Sequence, residues 1–201
     1  HPSSEWVQSA VAGSTEVHTQ PVFSNIGEPD CIPEFTARDS YAVAFGGVAM
    51  KKRLYDSSDG IIQLLENAGI RRIVDLGRMQ NPPSAVGDIP VEAHGIQPAS
   101  TISTHLRRAS IGLLHYPLDY LTKSGIWASY AAHGLPAGIV SKAASSCLTE
   151  GKHFLRINPE EKTEYDSTKL AAIGMSARHW YQSTAHSKQA AHIFYRLIRC
   201  S

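Results

Sequence analysis

The amino-acid sequence predicts an α/β domain in which a parallel sheet is covered by helices on both faces. Three observations lead there. Short apolar runs alternate along the chain with stretches whose apolar residues fall at helical spacing, and strands separated by helices form parallel sheets. Several of these runs are closed by glycine, the residue that tight strand-to-loop turns favour. The chain of 201 residues, 42% hydrophobic and 18% charged, is long enough for a continuous core.

The elements follow in order. Trp6, Val7, Ala10 and Val11 have the spacing of a helix end, and with no initiator Met before His1 the chain reads as part of a longer protein. Over residues 17–33, Pro21, Pro29 and Pro33 with Ser24, Asn25 and Gly27 form a linker, because proline fixes φ and the others favour turns. The run 41–45 suits a buried strand leading into the turn Gly46-Gly47. Ile61, Ile62, Leu65 and Ala68 share one helical face, and Gly69 stands where a left-handed residue ends a helix. A second strand covers 72–76 before Gly77, and a third covers 90–96 after the Pro82-Pro83 loop. Ile102, Leu106 and Ala109 mark the next helix, with strands at 111–115, 137–140 and 153–157 and a helix over 123–133. Ser167 is placed to cap a helix over Leu170 and Ile173, and Ala190, Ile193, Phe194, Leu197 and Ile198 make an amphipathic terminal helix.

Charge and composition exclude several functions. Lys+Arg 19 against Asp+Glu 18 leaves a net charge of +1, which argues against a surface built mainly for nucleic acid or anionic lipid. No apolar run approaches the roughly 20 residues of a membrane span, and no basic-then-apolar leader opens the chain. Cys31, Cys147 and Cys200 lack paired spacing, so reduced thiols and a cytoplasmic location are expected. Ten histidines form no HExxH or HxH pair, and no metal is expected.

In such a sheet, ligands bind beyond the carboxyl ends of the strands, where helix N-termini present unpaired N–H groups. The loops to inspect are 46–53, 77–83, 95–99, 116–125 and 141–151. The first joins Gly46 and Gly47, which let a backbone approach a ligand, to Lys51, Lys52 and Arg53, a combination suited to phosphate. It is neither GxGxxG nor a P-loop, and on this loop alone an ordinary turn with a solvated basic surface is the plainer reading. In the fourth loop Lys123, Ser124 and Gly125 precede a helix and together make an anion cradle; a cation there opposes the helix dipole and implies a compensating anion. His133, at the other end of that helix, reads as a favourable dipole partner.

Tyr116-Pro117, Lys123-Ser124-Gly125, the segment 131–136 and the segment 148–155 resemble the carboxyl-terminal half of a GT-B glycosyltransferase of the group-1-like type. In that family a Lys-Ser-Gly helix start and a Gly-x-Pro turn belong to the donor-binding domain. Residues 21–26 resemble its interdomain linker, and 176–181 with the terminal helix resemble its closing helices. The resemblance implies a Rossmann-like domain over 35–201, preceded over 1–34 by linker and a remnant of the amino-terminal half. It implies a nucleotide diphosphate sugar as donor substrate, no separate cofactor, and a saccharide or other alcohol as acceptor. Carried over by position, Gly46, Gly47 and either Lys51 or Arg53 approach the diphosphate, Lys123, Ser124 and Gly125 hold it, and Gly95 and Ile96 lie by the base. Lys123 and Arg53 are then the leaving-group stabilisers, which need no metal.

This sequence departs from the family at two places. Two glutamates eight positions apart are usual around this helix, and Leu121 and Ser129 stand there instead. The acceptor site and often the general base belong to an amino-terminal GT-B domain, so transfer is expected to need that partner. Glu150 and His153 are candidates to reach the sugar, beside the plainer reading of a solvated pair. Peripheral membrane association fits the family's lipid-linked or surface acceptors. Two other readings compete: a non-catalytic nucleotide-binding or interaction module, and a degenerate tyrosine-phosphatase-like domain. Residues 53–55 and 69–76 suggest the latter, but His153 stands six positions after Cys147 where an arginine is needed to activate the thiol.

Overall fold

The computed structural model describes residues 17–141, 148–158 and 166–199. The expectations for Trp6, Val7, Ala10, Val11, Cys147 and Cys200, and for much of the loop 141–151, lie outside the described residues. The elements are β1 (Asp39–Phe45), α1 (Val48–Tyr55), α2 (Ser58–Asn67), β2 (Ile73–Leu76), β3 (Ala85–Val86), β4 (Ile89–Gly95), α3 (Ala99–Arg108), β5 (Ala109–His115), α4 (Gly125–Ala132), β6 (Ala137–Val140), β7 (Leu155–Ile157), α5 (Ser167–Thr184) and α6 (Ser187–Arg199).

The seven strands form one sheet in the order β3-β4-β2-β1-β5-β6-β7. The neighbours pair in parallel, except for the short β3–β4 hairpin. With β3 set aside, the parallel strands run 3-2-1-4-5-6 in chain order, which is the Rossmann order, and the direction of winding reverses between β1 and β5. The domain is therefore an α/β Rossmann-like fold, consistent with one half of a GT-B architecture.

The pleat sends alternate side chains of each strand to opposite faces. Ala42 and Ala44 pack with Leu54 of α1 and Ile61 and Leu65 of α2, whereas Val43 packs with Leu106 of α3 and with Trp127 and Tyr130 of α4. Gly112 of β5 is a fitting requirement: a Cβ there would lie 2.6 Å from the Tyr130 ring.

Where sequence and structure differ, local hydrogen bonding explains it. The expected helix at 61–68 is the second of two, because the chain turns at Asp56 and Ser57 between α1 and α2. The expected helix at 123–133 is a 3-10 turn, Leu118–Lys123, followed by α4, which starts afresh where the Ser124 hydroxyl accepts from Trp127 N. Asp166 rather than Ser167 caps α5, its carboxylate accepting from Lys169 N at 2.7 Å.

Residues 17–34 hold no helix or strand, yet they are tied to the domain. Val22 N donates to Thr122 O, Ser24 N donates to the Tyr181 hydroxyl, and Arg178 donates to the carbonyls of Pro29 and Asp30. Arg38, just past the 3-10 turn Phe35–Ala37, forks into the carbonyls of Leu106, Ala109, His133 and Gly134 at 2.9–3.2 Å. Its guanidinium fastens α3 and the α4 terminus to the base of β1, and desolvation lowers its pKa to about 10, so it stays charged at neutral pH.

Candidate functional site

The reversal point fixes where a crevice opens. The β1–β5 pairing runs to Ala44 opposite Leu113, and beyond it the strands part. The Tyr130 hydroxyl sits in the gap: it accepts from Phe45 N at 3.3 Å and donates to Leu113 O at 3.1 Å. Burial raises the pKa of this phenol, so the hydroxyl remains a donor that props the strand ends apart.

Three glycines line the carboxyl edge beside the gap. Gly46 N donates to Leu76 O, and Gly77 N donates to Gly95 O at 2.7 Å. Gly77 has a φ of +99°, and a Cβ there would lie 2.7 Å from Gly46 O, so the first and second loops touch backbone to backbone. Only glycine permits that approach. Next to them α1 begins at Gly47, which has open space around its Cα and no side-chain cap on the helix. Gly47, Val48 and Ala49 are exposed, so the N–H groups of this first turn face solvent with the positive end of the helix dipole behind them. The start of α4 adjoins, since a Cβ on Gly46 would meet Ile126 Cδ1 at 2.6 Å.

Beneath this edge lies a buried ionic cluster. Lys51 is fully buried and its ammonium pairs with Asp75, also buried, while donating to Gly77 O at 2.9 Å. The Tyr55 hydroxyl donates to the other Asp75 oxygen at 2.6 Å. Burial, reinforced by that bond, pushes the Tyr55 phenol well above its ordinary pKa. The cluster holds the α1 start against the end of β2.

The expected site residues therefore fall into groups. Gly46, Gly47 and Gly95 are brought together along the carboxyl edge, joined there by Gly77, which was not among the expected site residues, and with the Ile96 side chain 76% exposed at the end. Gly125 and Ser124 open α4 beside them, but the Ser124 hydroxyl is buried and spent on Trp127 N. Lys123 is exposed before that cap, its ammonium 5.8 Å from the Tyr120 ring centre. Arg53 is exposed on the last turn of α1, and its charge, after burial, helps depress the pKa of His115 at the end of β5. Lys51 points inward to Asp75, so of the loop's three cations Lys52 and Arg53 are at the surface, and Lys52 pairs with Asp56. Glu150 lies beside β7, two strands beyond β5, and binds Arg156 Nε at 3.1 Å. His153 accepts from Thr149 N at 3.0 Å.

His133 corrects the sequence reading. It is fully buried, and desolvation lowers its pKa to about 4, so at neutral pH it carries no charge for the helix dipole. Its Nδ1–H donates to Ser129 O at 2.7 Å and its Nε2 faces the Ser103 hydroxyl at 2.8 Å, a neutral bridge between α3 and α4. The sequence reading also missed Asp75, Tyr55 and Tyr130. An aspartate inside the run Ile73–Leu76 was itself a signal, since a charge buried in a strand needs a partner.

No family model matches the sequence, and no curated protein matches it. Among solved structures the chain resembles one described as an alpha-glucosyltransferase (AGT) in complex with UDP. The likeness is one of fold. The TM-score is 0.60 at 11% identity, over 98% of this chain and 62% of that one, so the chain spans less than two thirds of that glucosyltransferase. Among the described residues, no helix is long and apolar enough to cross a membrane, and no cluster of His, Cys, Asp and Glu is grouped to hold a metal ion.

Proposed function

We propose that this chain is the donor-binding part of a glycosyltransferase that moves a glycosyl group from a nucleotide diphosphate sugar to an alcohol acceptor. The observation that carries the proposal is the crevice at the β1–β5 reversal, where the open first turn of α1, the Gly46–Gly77 backbone contact and the start of α4 converge. The resemblance in fold to a UDP-bound glucosyltransferase supports it.

In this reading the amides at Gly47, Val48 and Ala49 take the diphosphate, as helix N-termini take anions. Arg53 and Lys123 flank it. When the bond from the anomeric carbon to the leaving oxygen breaks, negative charge grows on the diphosphate, and these cations and helix dipoles stabilise it more than they stabilise the intact donor. Gly95 and the exposed Ile96 border the base. Lys51 acts at one remove, holding the α1 start in place. The acceptor hydroxyl and the group that takes its proton belong to a further domain of a longer protein.

Calorimetric titration with UDP, GDP, ADP and CMP tests this, beside Lys123→Ala and Arg53→Ala. Saturable binding of one diphosphate that weakens about tenfold in either variant, or about 1.4 kcal/mol, is expected. A folded chain that binds none of the four contradicts it. A non-catalytic nucleotide-binding module is the second reading, favoured by one observation: Leu121 and Ser129, standing where the family usually has glutamates, are both fully buried, and the Ser129 hydroxyl donates to Gly125 O. Tight diphosphate binding without sugar transfer or donor hydrolysis by the longest natural form of the protein would select it.

A further inference from the structure

At the amino ends of β1, β2 and β4 lies a cavity of about 500 Å³, on the edge of the sheet opposite the crevice. Its lining includes Tyr41, Arg71, Arg72 and Arg108 with Asp39 and Glu92. Three guanidiniums against two carboxylates leave it one positive charge in excess. The three arginines are not equally engaged. Arg108, at the end of α3, binds Asp39 through Nε at 2.9 Å and Nη2 at 2.8 Å. Arg72 Nε stands 3.6 Å from Glu92, longer than a hydrogen bond, and the Arg72 guanidinium lies over the Tyr41 ring at 5.1 Å. Arg71 is fixed through its backbone, where its N–H donates to Ser40 O at 3.0 Å, but among the described residues its exposed guanidinium has neither a hydrogen bond nor an ion pair. An arginine facing a carboxylate thus occurs twice in the cavity, and the third arginine has no carboxylate of its own.

We propose that this cavity binds a small organic monocarboxylate, its carboxylate on Arg71 and its body between Pro90 and the Arg72 guanidinium. A planar guanidinium matches a planar carboxylate in shape and charge. One negative charge balances the excess of one, whereas a phosphate dianion would leave the cavity negative beside Asp39 and Glu92. Arg72, held over Tyr41 with its side chain 45% exposed, offers a flat ligand a cationic platform to stack on. The carbonyl end of α3 is close by and would repel an anion, but Arg38 already takes the carbonyls of Leu106 and Ala109. The site is separate from the β1–β5 crevice, where the glycosyltransferase reading places the nucleotide and the acceptor's domain, and the proposal does not depend on that reading.

Amide chemical shifts of the chain titrated with benzoate, against sodium chloride at equal ionic strength, test it. Saturable changes at Ser40, Tyr41, Arg71, Arg72 and Glu92 are expected with benzoate alone, and excess UDP leaves them in place. Arg71→Gln weakens benzoate at least about tenfold, the worth of a hydrogen bond between charged groups. The urea midpoint of that variant stays at the parent's, since the side chain is exposed and holds no partner among the described residues. Glu92→Gln acts in the opposite direction: it raises the excess to two charges and frees Arg72, tightening benzoate about fivefold, the worth of a unit charge about 4 Å away in water. No saturable change with benzoate, changes that chloride reproduces, tighter binding of inorganic phosphate than of benzoate, or an affinity unmoved by either variant overturns the proposal. Displacement of benzoate by UDP also overturns it, and puts the nucleotide here rather than in the crevice.

Discussion

Replacing Lys51 by Met is the most informative perturbation of the scaffold beneath the crevice. The methionine fills much of the lysine's path, but Asp75, 1% exposed, loses its ammonium and keeps only the Tyr55 hydroxyl at 2.6 Å. Removing one member of a buried ion pair leaves an uncompensated charge and costs about 3–5 kcal/mol. Gly77 O loses its 2.9 Å donor in the same step. At about 2–4 °C per kcal/mol for a chain of this size, the midpoint should fall on the order of 10 °C. The double variant Lys51→Met with Asp75→Asn removes both charges while leaving an amide oxygen for Tyr55, and should recover about 2 kcal/mol or more. Urea unfolding followed by the fluorescence of Trp127 and Trp180, which meet edge-on at 5.1 Å between α4 and α5, reads both variants. A single variant that loses under about 1 kcal/mol, or single losses that simply add in the double, would refute the reasoning.

The glycine contact predicts a ranking: Gly77→Ala should cost about 3 kcal/mol or more, because its Cβ meets the Gly46 carbonyl, whereas Gly95→Ala, with open space at φ +65°, should cost about 1 kcal/mol. Urea midpoints measure both, and equal costs would remove the argument for a backbone contact. Arg38→Lys should lose about 3 kcal/mol, since an ammonium cannot span four carbonyls on two elements; a neutral substitution would show that the fork is not needed. For His133 the folded pKa of about 4 lies below the ordinary 6.5, so the unfolded chain binds more protons between those values. Its contribution is present above about pH 6.5 and is lost as pH falls toward 4, by about 3 kcal/mol. His133→Gln should therefore flatten the stability profile between pH 6.5 and 4 relative to the parent, and an unchanged slope in urea titrations would exclude His133 as its source.

The central strands were legible because their burial on both faces leaves a contiguous apolar run, whereas β4, largely exposed, was read from its place after the Pro82-Pro83 loop. The expected strand 137–140 matches β6 residue for residue, and 41–45 falls within β1. The helix start at Gly125 was legible from a serine before a glycine. Hydrogen-bond partners distant in sequence were not legible. Lys51 reads as a surface cation of a basic helix until Asp75, 24 residues away, is folded beneath it. Tyr130 reads as one more aromatic on an apolar helix, yet its hydroxyl meets two strand ends 85 and 17 residues away. The split between α1 and α2 was missed because, of the apolar residues in the first, Leu54 alone is buried, and the linear pattern does not single it out.

The measurement closest to the central claim is an amide chemical-shift map of the chain titrated with UDP. The account predicts that the largest changes fall on Gly46, Gly47, Val48 and Ala49, with Gly77 and Gly125 next, and that they saturate together. Changes gathered instead at the opposite edge of the sheet, around the cavity lined by Arg71, Arg72 and Arg108, would contradict it.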